Sequence, residues 1–558
     1  MFFAVILILK LFVLQIIDPQ DLKDKAKKMR LSKAFIFRGD IVDRNGVKLA
    51  TDSTLYDMYA HPEYYDDLTP EEIATKIAPY IKMSKAELIQ KLKENHSTIT
   101  IKKGLDRDVA QVISKLGVKG IDLAKRSTRV YPQGNLASHI LGYVNQDANI
   151  SAGVEFSGSR QIENAKTQYF EKNGRGDVIY GFTTDPEVAS RPIEGQKLVL
   201  TIDSTIQHIA ETELAKMIKK THADRGTVIV MNPKNGELLA LAVLPSYNPN
   251  QYNKFNSLVI KNWVLSDVYP PGSTFKMLTV ASALENHRIT KDEKILDTGK
   301  ITVQGWPIEN YDYNIHPYPG QIDLKYLFEH SSNVGAIKVA LKMTPDEFYN
   351  QLAKLGIGSK TGIDLPGESS GILPPTSTWD QSRHATIGFG YSIASTPIQM
   401  AAAAAAIANG GILITPHVIK YSQDDYEKKI KRARVLSPET CNAMKELLQA
   451  SVQHSKATAG KIPNFTVAGK TGTSRKPNPN GPGYLKDQLF TSIIGFFPSQ
   501  NPDILMMVVV DNAKGGGIWG STVAGPVFNE IASQITRILG LKPDAPGLNV
   551  NVKSTPQT

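Results

Sequence analysis

A single cysteine, Cys441, in a chain of 558 residues excludes an intramolecular disulfide and any metal centre built from several thiolates. His-Glu-x-x-His and the Walker-type phosphate loop are also missing, so neither zinc-hydrolase nor nucleotide chemistry has a recognisable anchor. On these grounds no metal and no cofactor is expected. Acidic residues are outnumbered, 54 against 64 Lys and Arg, for a net charge of +10. That balance suits an anionic partner or a simply solvated basic surface, and because no nucleic-acid module accompanies it, no nucleic-acid partner is expected.

Hydrophobic residues at 41% and charged residues at 21% describe a globular protein whose length suggests two to four domains. Met1 to Ile17 is almost wholly apolar, interrupted by Lys10 and Gln15. A span needs roughly 17–25 residues, and Asp18-Pro19-Gln20 offers no small-x-small cleavage pattern, so residues 1–17 read as a retained membrane anchor. Lys23, Lys25, Lys27, Lys28 and Arg30 follow it with nothing basic before it, which by the positive-inside rule argues for a cytoplasmic bulk; a basic segment ahead of Met1 would reverse that.

After the anchor, Asn45-Gly46 between two apolar runs predicts a tight hairpin. Thr69-Pro70-Glu71-Glu72 and Ser84-Lys85-Ala86-Glu87 predict capping boxes, and Asp106 opens a third helix ending near Gly117. No chemistry is visible there, so residues 18–195 read as a mixed, non-catalytic module with its boundary near Pro192 to Gly195. Beyond it, Leu198 to Ile202, Thr227 to Met231 and Leu238 to Leu244 read as strands, with a helix capped by Asp203 among them. A largely helical stretch covers about Leu324 to Leu448. Strands return at Thr466 to Ala468, Thr491 to Phe497 and Ile504 to Val510, before a helix over Pro526 to Leu539. Strands at both ends with helices between imply one sheet assembled from distant parts of the chain, an α/β (α+β) domain over 196–541 with helical insertions. Residues 542–558 read as a disordered tail.

Candidate chemistry begins at Pro270-Pro271-Gly272-Ser273-Thr274-Phe275-Lys276, where a turn runs into a helical pattern. Ser273 is the candidate nucleophile, and the three-residue spacing to Lys276 puts both side chains on one helical face. Met277, Val280, Ala281 and Leu284 give that helix a buried face. Ser331-Ser332-Asn333 offers a hydroxyl and an amide suited to proton relay and to holding a peptide group, or is a plain helix-terminal cluster. Lys470-Thr471-Gly472-Thr473, on a strand edge, offers a lysine and hydroxyls for a carboxylate and a glycine for close backbone approach. Lys360-Thr361-Gly362 repeats part of this pattern in what reads as a loop.

Ser-x-x-Lys, Ser-x-Asn and Lys-Thr-Gly in this order resemble the signature of penicillin-binding proteins and serine β-lactamases. Arg38 to Gly46, Arg129 to Val144 and Leu200 to Asp203 resemble markers of the class B penicillin-binding proteins, which are membrane-anchored peptidoglycan transpeptidases. His330 to Gly335, Gly362 to Glu368 and Gly388 to Tyr391 are most similar to the FtsI-type division branch, while Pro270 is commoner in elongation-type members. The resemblance covers about Phe35 to Leu541. It implies the penicillin-binding transpeptidase fold, a mainly antiparallel sheet flanked by helices with an all-helical subdomain, on an N-terminal pedestal of the dimerisation type. It also implies a domain outside the cell membrane, acylation by β-lactams, and an FtsW-type glycosyltransferase and other division proteins as partners.

The implied reaction is acyl transfer. Ser273 would attack the D-Ala-D-Ala carbonyl of a peptidoglycan stem peptide, and Lys276 would take its proton. Neutral Lys276 at pH 7 costs roughly 4.6 kcal/mol from an unperturbed pKa of about 10.4, which burial and nearby Lys470 must largely supply. Ser331 would relay a proton to the leaving amine and Asn333 would bind the substrate peptide. Lys470, Thr471 and Thr473 would hold its carboxylate, and the N–H groups of Ser273 and Thr473 its oxyanion. A class A β-lactamase is disfavoured by the missing Glu-x-x-Leu-Asn, and a bifunctional glycosyltransferase by the lack of its acidic motifs in 18–195. A D,D-carboxypeptidase and a non-catalytic β-lactam sensor or scaffold remain as alternatives.

Overall fold

The computed structural model describes residues 31–33, 36–145, 150–163, 169–172, 178–179, 193–454 and 459–548. The expected anchor at 1–17 and the Pro192 end of the expected boundary lie outside these, and no helix among the described residues is long and apolar enough to cross a membrane. The chain forms two compact units. Of the described residues, one takes those within 1–41, 48–132 and 158–198, and the other those within 42–47, 133–157 and 199–548.

In the smaller unit the strand Lys48–Ala60 runs antiparallel to both Ile99–Leu105 and Ile121–Val130. Three helices, Pro70–Ile77, Lys85–Leu92 and Arg107–Lys115, turn Ile73, Ile77, Leu88, Leu92 and Ile113 onto Met58, Ile99 and Ile101. Thr69 and Glu72 form both halves of the expected capping box. At Ser84 only one half forms, the Ser84 hydroxyl accepting the Glu87 N–H at 3.1 Å, while Asp106 caps by position without a side-chain bond. A buried ion pair closes the unit: Arg129 reaches Asp52 at 3.0 Å, and Asp52 also accepts the Ser127 hydroxyl at 2.6 Å and the Arg38 N–H at 2.9 Å. Arg129 further donates to the Gly39 carbonyl at 3.0 Å. The Arg38 and Arg129 stretches therefore do structural work, because a buried charge is tolerated only when paired and hydrogen-bonded.

The larger unit is built on a five-stranded, wholly antiparallel sheet in the spatial order Leu238–Leu244, Arg225–Met231, Ile504–Asp511, Tyr484–Phe497, Ala468–Pro477. Ile504–Asp511 is buried along its whole length, as its unbroken apolar run requires in a sheet covered on both faces. The helices Ser204–Thr221 and Ala524–Ile538 cover one face through Ile206, Leu214, Val527, Phe528 and Ile531. The helix Pro397–Ala408 packs on the central strands; all its residues are buried, and its alanines permit close approach.

Some expectations shift. The strand over Leu198 to Ile202 shortens to Leu198–Val199, with Leu200 forming an isolated bridge to Ile419. The hairpin at Asp43 to Gly46 has a second task. Asp43 accepts the N–H and hydroxyl of Ser204 at 3.0 and 2.7 Å, and Asn45 donates to Asp203 at 2.9 Å, so the hairpin supplements the Asp203 cap on the 204–221 helix. Burial pushes the Asp43 pKa up, but the Ser204 hydroxyl and the N–H groups of Ser204, Val47 and Asn45 outweigh it and hold the carboxyl below its ordinary value. The 324–448 stretch is helical with interruptions, notably the antiparallel pair of Ile412–Ile414 with Arg432–Arg434. The start of the expected disordered tail is ordered: Asp544 accepts the Thr466 N–H at 2.8 Å, and Ala545 and Gly547 donate to Asn464. Local polarity had hidden these long-range backbone partners.

Candidate active site

Two prolines and a glycine shape the entry to Ser273. Tyr269 exchanges backbone hydrogen bonds with Ser395 at 3.0 and 3.1 Å, and the Gly272 N–H reaches the Gly390 carbonyl at 3.1 Å. Gly272 has φ +57°, and a Cβ there would lie 2.9 Å from the Ser474 Cβ, so only glycine lets the turn lie against that strand. Gly272–Phe275 is a 3₁₀ turn continuing into the α-helix Lys276–Glu285. The three-residue period of the turn eclipses Ser273 with Lys276. The helix was expected to bury one face, yet Lys276 through Ala283 are all buried and Leu284 is half-buried. Helices 333–340, 345–354, 397–408 and 438–454 surround it, which local periodicity could not reveal.

Lys276 is fully buried. Its ammonium nitrogen donates to the Ser331 carbonyl, to Ser331 Oγ at 3.2 Å and to Asn333 Oδ1 at 2.8 Å. Burial, followed by the charge of Lys470, drives its pKa well below the ordinary lysine value, against the opposing pull of Asp297 and Asp312. Ser273 is half-buried, and its hydroxyl makes no hydrogen bond among the described residues.

Ser331 sits at φ +52° between the helices Leu324–Glu329 and Asn333–Ala340. Ser332, pointing the other way, caps the second helix by accepting the Gly335 N–H at 2.8 Å and donates to Asp297 Oδ2 at 2.5 Å. Asp297 is buried and also takes the Gly299 N–H at 2.8 Å and the Asn310 amide at 2.9 Å. Asn310 Oδ1 in turn accepts the N–H groups of Asn333 and Val334 at 2.8 and 3.1 Å, and the Asn333 amide donates to the Glu309 carbonyl at 2.9 Å. Sequence reasoning missed Asp297, Asn310 and Glu309. Asp297 ends the strand Lys294–Asp297, which pairs with Gly320–Asp323, and Glu309 ends and Asn310 follows the hairpin of Lys300–Val303 with Trp306–Glu309 nested between them; the signals for these short strands were turn glycines such as Gly299 and Gly305.

The strand expected over Thr466 to Ala468 begins instead at Ala468 and runs to Pro477, so Lys470, Thr471, Gly472 and Thr473 lie within the edge strand of the sheet. Lys470 pairs in register with Ile494 and Thr473 with Thr491. A Cβ on Gly472 would lie 2.7 Å from Ser492 Oγ and 2.9 Å from Thr274 Cγ2, so this glycine lets the strand approach the Ser273 turn. From the other side, Ser474 donates to the Pro270 carbonyl at 2.6 Å. Lys470 is buried, its ammonium reaches the Thr471 carbonyl at 3.0 Å, and burial lowers its pKa to about 7. Thr473 Oγ1 accepts the Gly520 N–H at 3.0 Å. The structure thus joins the lysine, Ser331 and Asn333 directly, and lays the Lys470 strand against the Ser273 turn. It keeps Lys360-Thr361-Gly362 in a loop, where Thr361 and Gly362 bond to the Glu368 carboxylate.

Residues 226–533 match the family described as the penicillin-binding protein transpeptidase domain, and residues 37–178 the penicillin-binding protein dimerisation domain. Stage V sporulation protein D of Bacillus subtilis is 31% identical over 519 residues, covering 91% of this chain and 79% of that protein. The peptidoglycan D,D-transpeptidase FtsI homolog of Mesostigma viride is 30% identical over 573 residues, covering 97% and 94%. Penicillin Binding Protein 2X from Streptococcus thermophilus shares the fold with a TM-score of 0.73 at 22% identity, covering 91% of this chain and 80% of that one. With the transpeptidase match spanning more than half its length and a dimerisation domain ahead of it, the chain belongs to the penicillin-binding proteins, as a class B member of the FtsI-like type.

Proposed function

We propose that the protein is a peptidoglycan D,D-transpeptidase that cross-links stem peptides through an acyl-enzyme on Ser273. The observation that carries this reading is the buried Lys276, pushed toward its neutral form by burial and Lys470 and anchored to Ser331 and Asn333 one 3₁₀ turn from Ser273. The family match and the relatives' names support it.

Lys276 Nζ accepts the Ser273 proton as Oγ attacks the carbonyl carbon of the penultimate D-alanine. The oxyanion is held by the backbone N–H groups of Ser273 and Thr473, each such donor worth about two to three orders of magnitude in rate. The C–N bond then breaks, and the D-alanine amine leaves with a proton passed from Lys276 by way of Ser331, whose hydroxyl lies 3.2 Å from Nζ. An acceptor amine attacks the Ser273 ester next, giving up a proton as the new amide forms and Ser273 Oγ is reprotonated. Among the described residues 468–477 is the edge strand of the sheet, so an extended stem peptide can add along its outer side, with its carboxylate on Lys470, Thr471 and Thr473. The Asn333 amide, one N–H of which bonds the Glu309 carbonyl at 2.9 Å, offers its other N–H to the substrate peptide. A β-lactam reacts at the same centre, opening its ring to leave a Ser273 ester.

The septal role belongs to this proposal, with a retained anchor at 1–17, the catalytic unit outside the cell membrane, and an FtsW-type glycosyltransferase and other division proteins as partners. FtsI-type relatives support it. Pro270 favours the elongation reading instead, and depletion separates the two: filaments support division and rounded cells elongation. The chemistry is tested by fluorescent penicillin. Wild-type protein is expected to label covalently and Ser273→Ala not at all; equal labelling of both would remove Ser273 as nucleophile.

A further inference from the structure

The hairpin segment that holds Asn333 carries a second cluster that the acyl-transfer chemistry does not use. Asp312, His316 and His330 place one ligand atom each within 4.8 Å of one another. Asp312 is 8% exposed, and its carboxylate makes no hydrogen bond among the described residues; its close polar neighbour is His330 Nδ1 at 3.5 Å. No Lys or Arg forms a direct salt bridge with this buried carboxylate among the described residues, and the charge of Lys276, on which it acts, is itself suppressed by burial. The two imidazoles stand edge-on to each other, with ring centres 5.7 Å apart, and Tyr326 stacks on His330 at 4.0 Å, fixing that ring. The Asp312 carbonyl accepts the N–H groups of Ile315 and His316, both at 2.8 Å, so the turn itself brings His316 back over Asp312. His316 is exposed and His330 half-buried, which leaves a path from solvent.

We propose that Asp312, His316 and His330 bind one Zn²⁺ ion, with water completing a four-coordinate site. One carboxylate oxygen and two neutral imidazole nitrogens are a donor set that zinc takes readily, and bonds of about 2.0–2.2 Å need only draw these three side chains slightly together. The ion gives the Asp312 carboxylate a positive partner in direct contact. It also ties the 310–316 loop to the residue immediately before Ser331. Because Asn310 on the same loop accepts the Asn333 and Val334 N–H groups, the metal fastens the Ser331 turn from its outer side, and its role is structural. The spacing Asp312, His316, His330 matches no common metal motif, so nothing in the chain order alone points to the site.

The test is titration of the full chain with Zn²⁺ by calorimetry, together with Co²⁺ substitution read by its d–d absorption; neither readout depends on acyl transfer. One ion per chain is expected, with a rise in Tm on loading and a Co²⁺ band showing nitrogen and oxygen ligation. The exposed His316→Ala, which should fold, and Asp312→Asn are each expected to weaken binding by at least about tenfold and to abolish the Zn²⁺-dependent Tm rise. His454→Ala, outside the cluster, should bind as the wild type does. Absence of stoichiometric binding to the wild type, or equal binding by His316→Ala, overturns the proposal and leaves Asp312 and His330 as a simple ion pair.

Discussion

Lys360-Thr361-Gly362 and Lys470-Thr471-Gly472 are the same three residues in two environments. In the first, Lys360 is exposed on a loop, Gly362 turns at φ +81°, and the threonine serves the Glu368 carboxylate of its own loop. In the second, an extended edge strand buries Lys470, lays Gly472 against Thr274, and leaves Thr471 and Thr473 half-buried, the latter accepting the Gly520 N–H. A lysine in water is a solvated point charge; a lysine packed under a strand has a lowered pKa and acts on another lysine at short range. The tripeptide names the functional groups, and the strand gives them their chemistry.

The largest difference should appear when each lysine is removed. Lys470→Ala is expected to slow acylation by a penicillin by about two to three orders of magnitude, since a charged partner of a buried carboxylate is worth about 2–5 kcal/mol. Lys360→Ala should acylate at the wild-type rate. Stopped-flow acylation measures both, and equal losses would erase the distinction.

The glycines sharpen it next. Gly472→Ala forces a methyl to 2.7 Å from Ser492 Oγ, which should cost about 1–3 kcal/mol of stability and, by moving the strand off Thr274, slow acylation. Gly362→Ala meets nothing closer than 3.8 Å and carries only the left-handed backbone cost of about 1–2 kcal/mol, with acylation intact. Denaturant melts paired with labelling rates separate strain from function.

A pH profile comes third. Lowering the pH protonates Lys276 and removes the base, while raising it through about 7 discharges Lys470 and weakens its hold on a carboxylate. A bell is therefore expected for the acylation rate constant, the two limbs belonging to the coupled pair. Lys470→Arg, which stays charged, should move the alkaline limb upward. Linkage has the matching sign for stability. The folded-state pKa of Lys470 lies below its unfolded value, so the unfolded chain binds more protons between about pH 7 and 10.4, and this group's contribution to stability rises with pH across that window. Thr361→Ala is the smallest change. Loss of its hydroxyl bond to Glu368 should cost about 0.5–1.5 kcal/mol in a thermal melt and leave acylation unchanged.

Much of the candidate site was legible because its parts are local. The step from Ser273 to Lys276 is one 3₁₀ turn, and the apolar runs of Arg225–Met231 and Ile504–Asp511 announce buried strands. The support of the Ser331 turn was not legible. Asp297 meets Ser332 across 35 positions and Asn310 meets Asn333 across 23, through hairpins too short to carry a clear alternating pattern. The Lys276 helix showed one apolar face because periodicity reports a helix's own spacing and says nothing of how many neighbours will surround it.

By itself, then, the sequence determined which functional groups exist, their order along the chain, and those separations that a single turn of backbone can set. Only the tertiary structure decided which Lys-Thr-Gly is buried, that Lys276 is driven toward neutrality, and that Ser474 clasps Pro270 from 204 residues away. The physical reason is that spacing is fixed by covalent geometry within a few residues. Desolvation and close contact depend on which distant surfaces pack together, and that is a property of the whole fold.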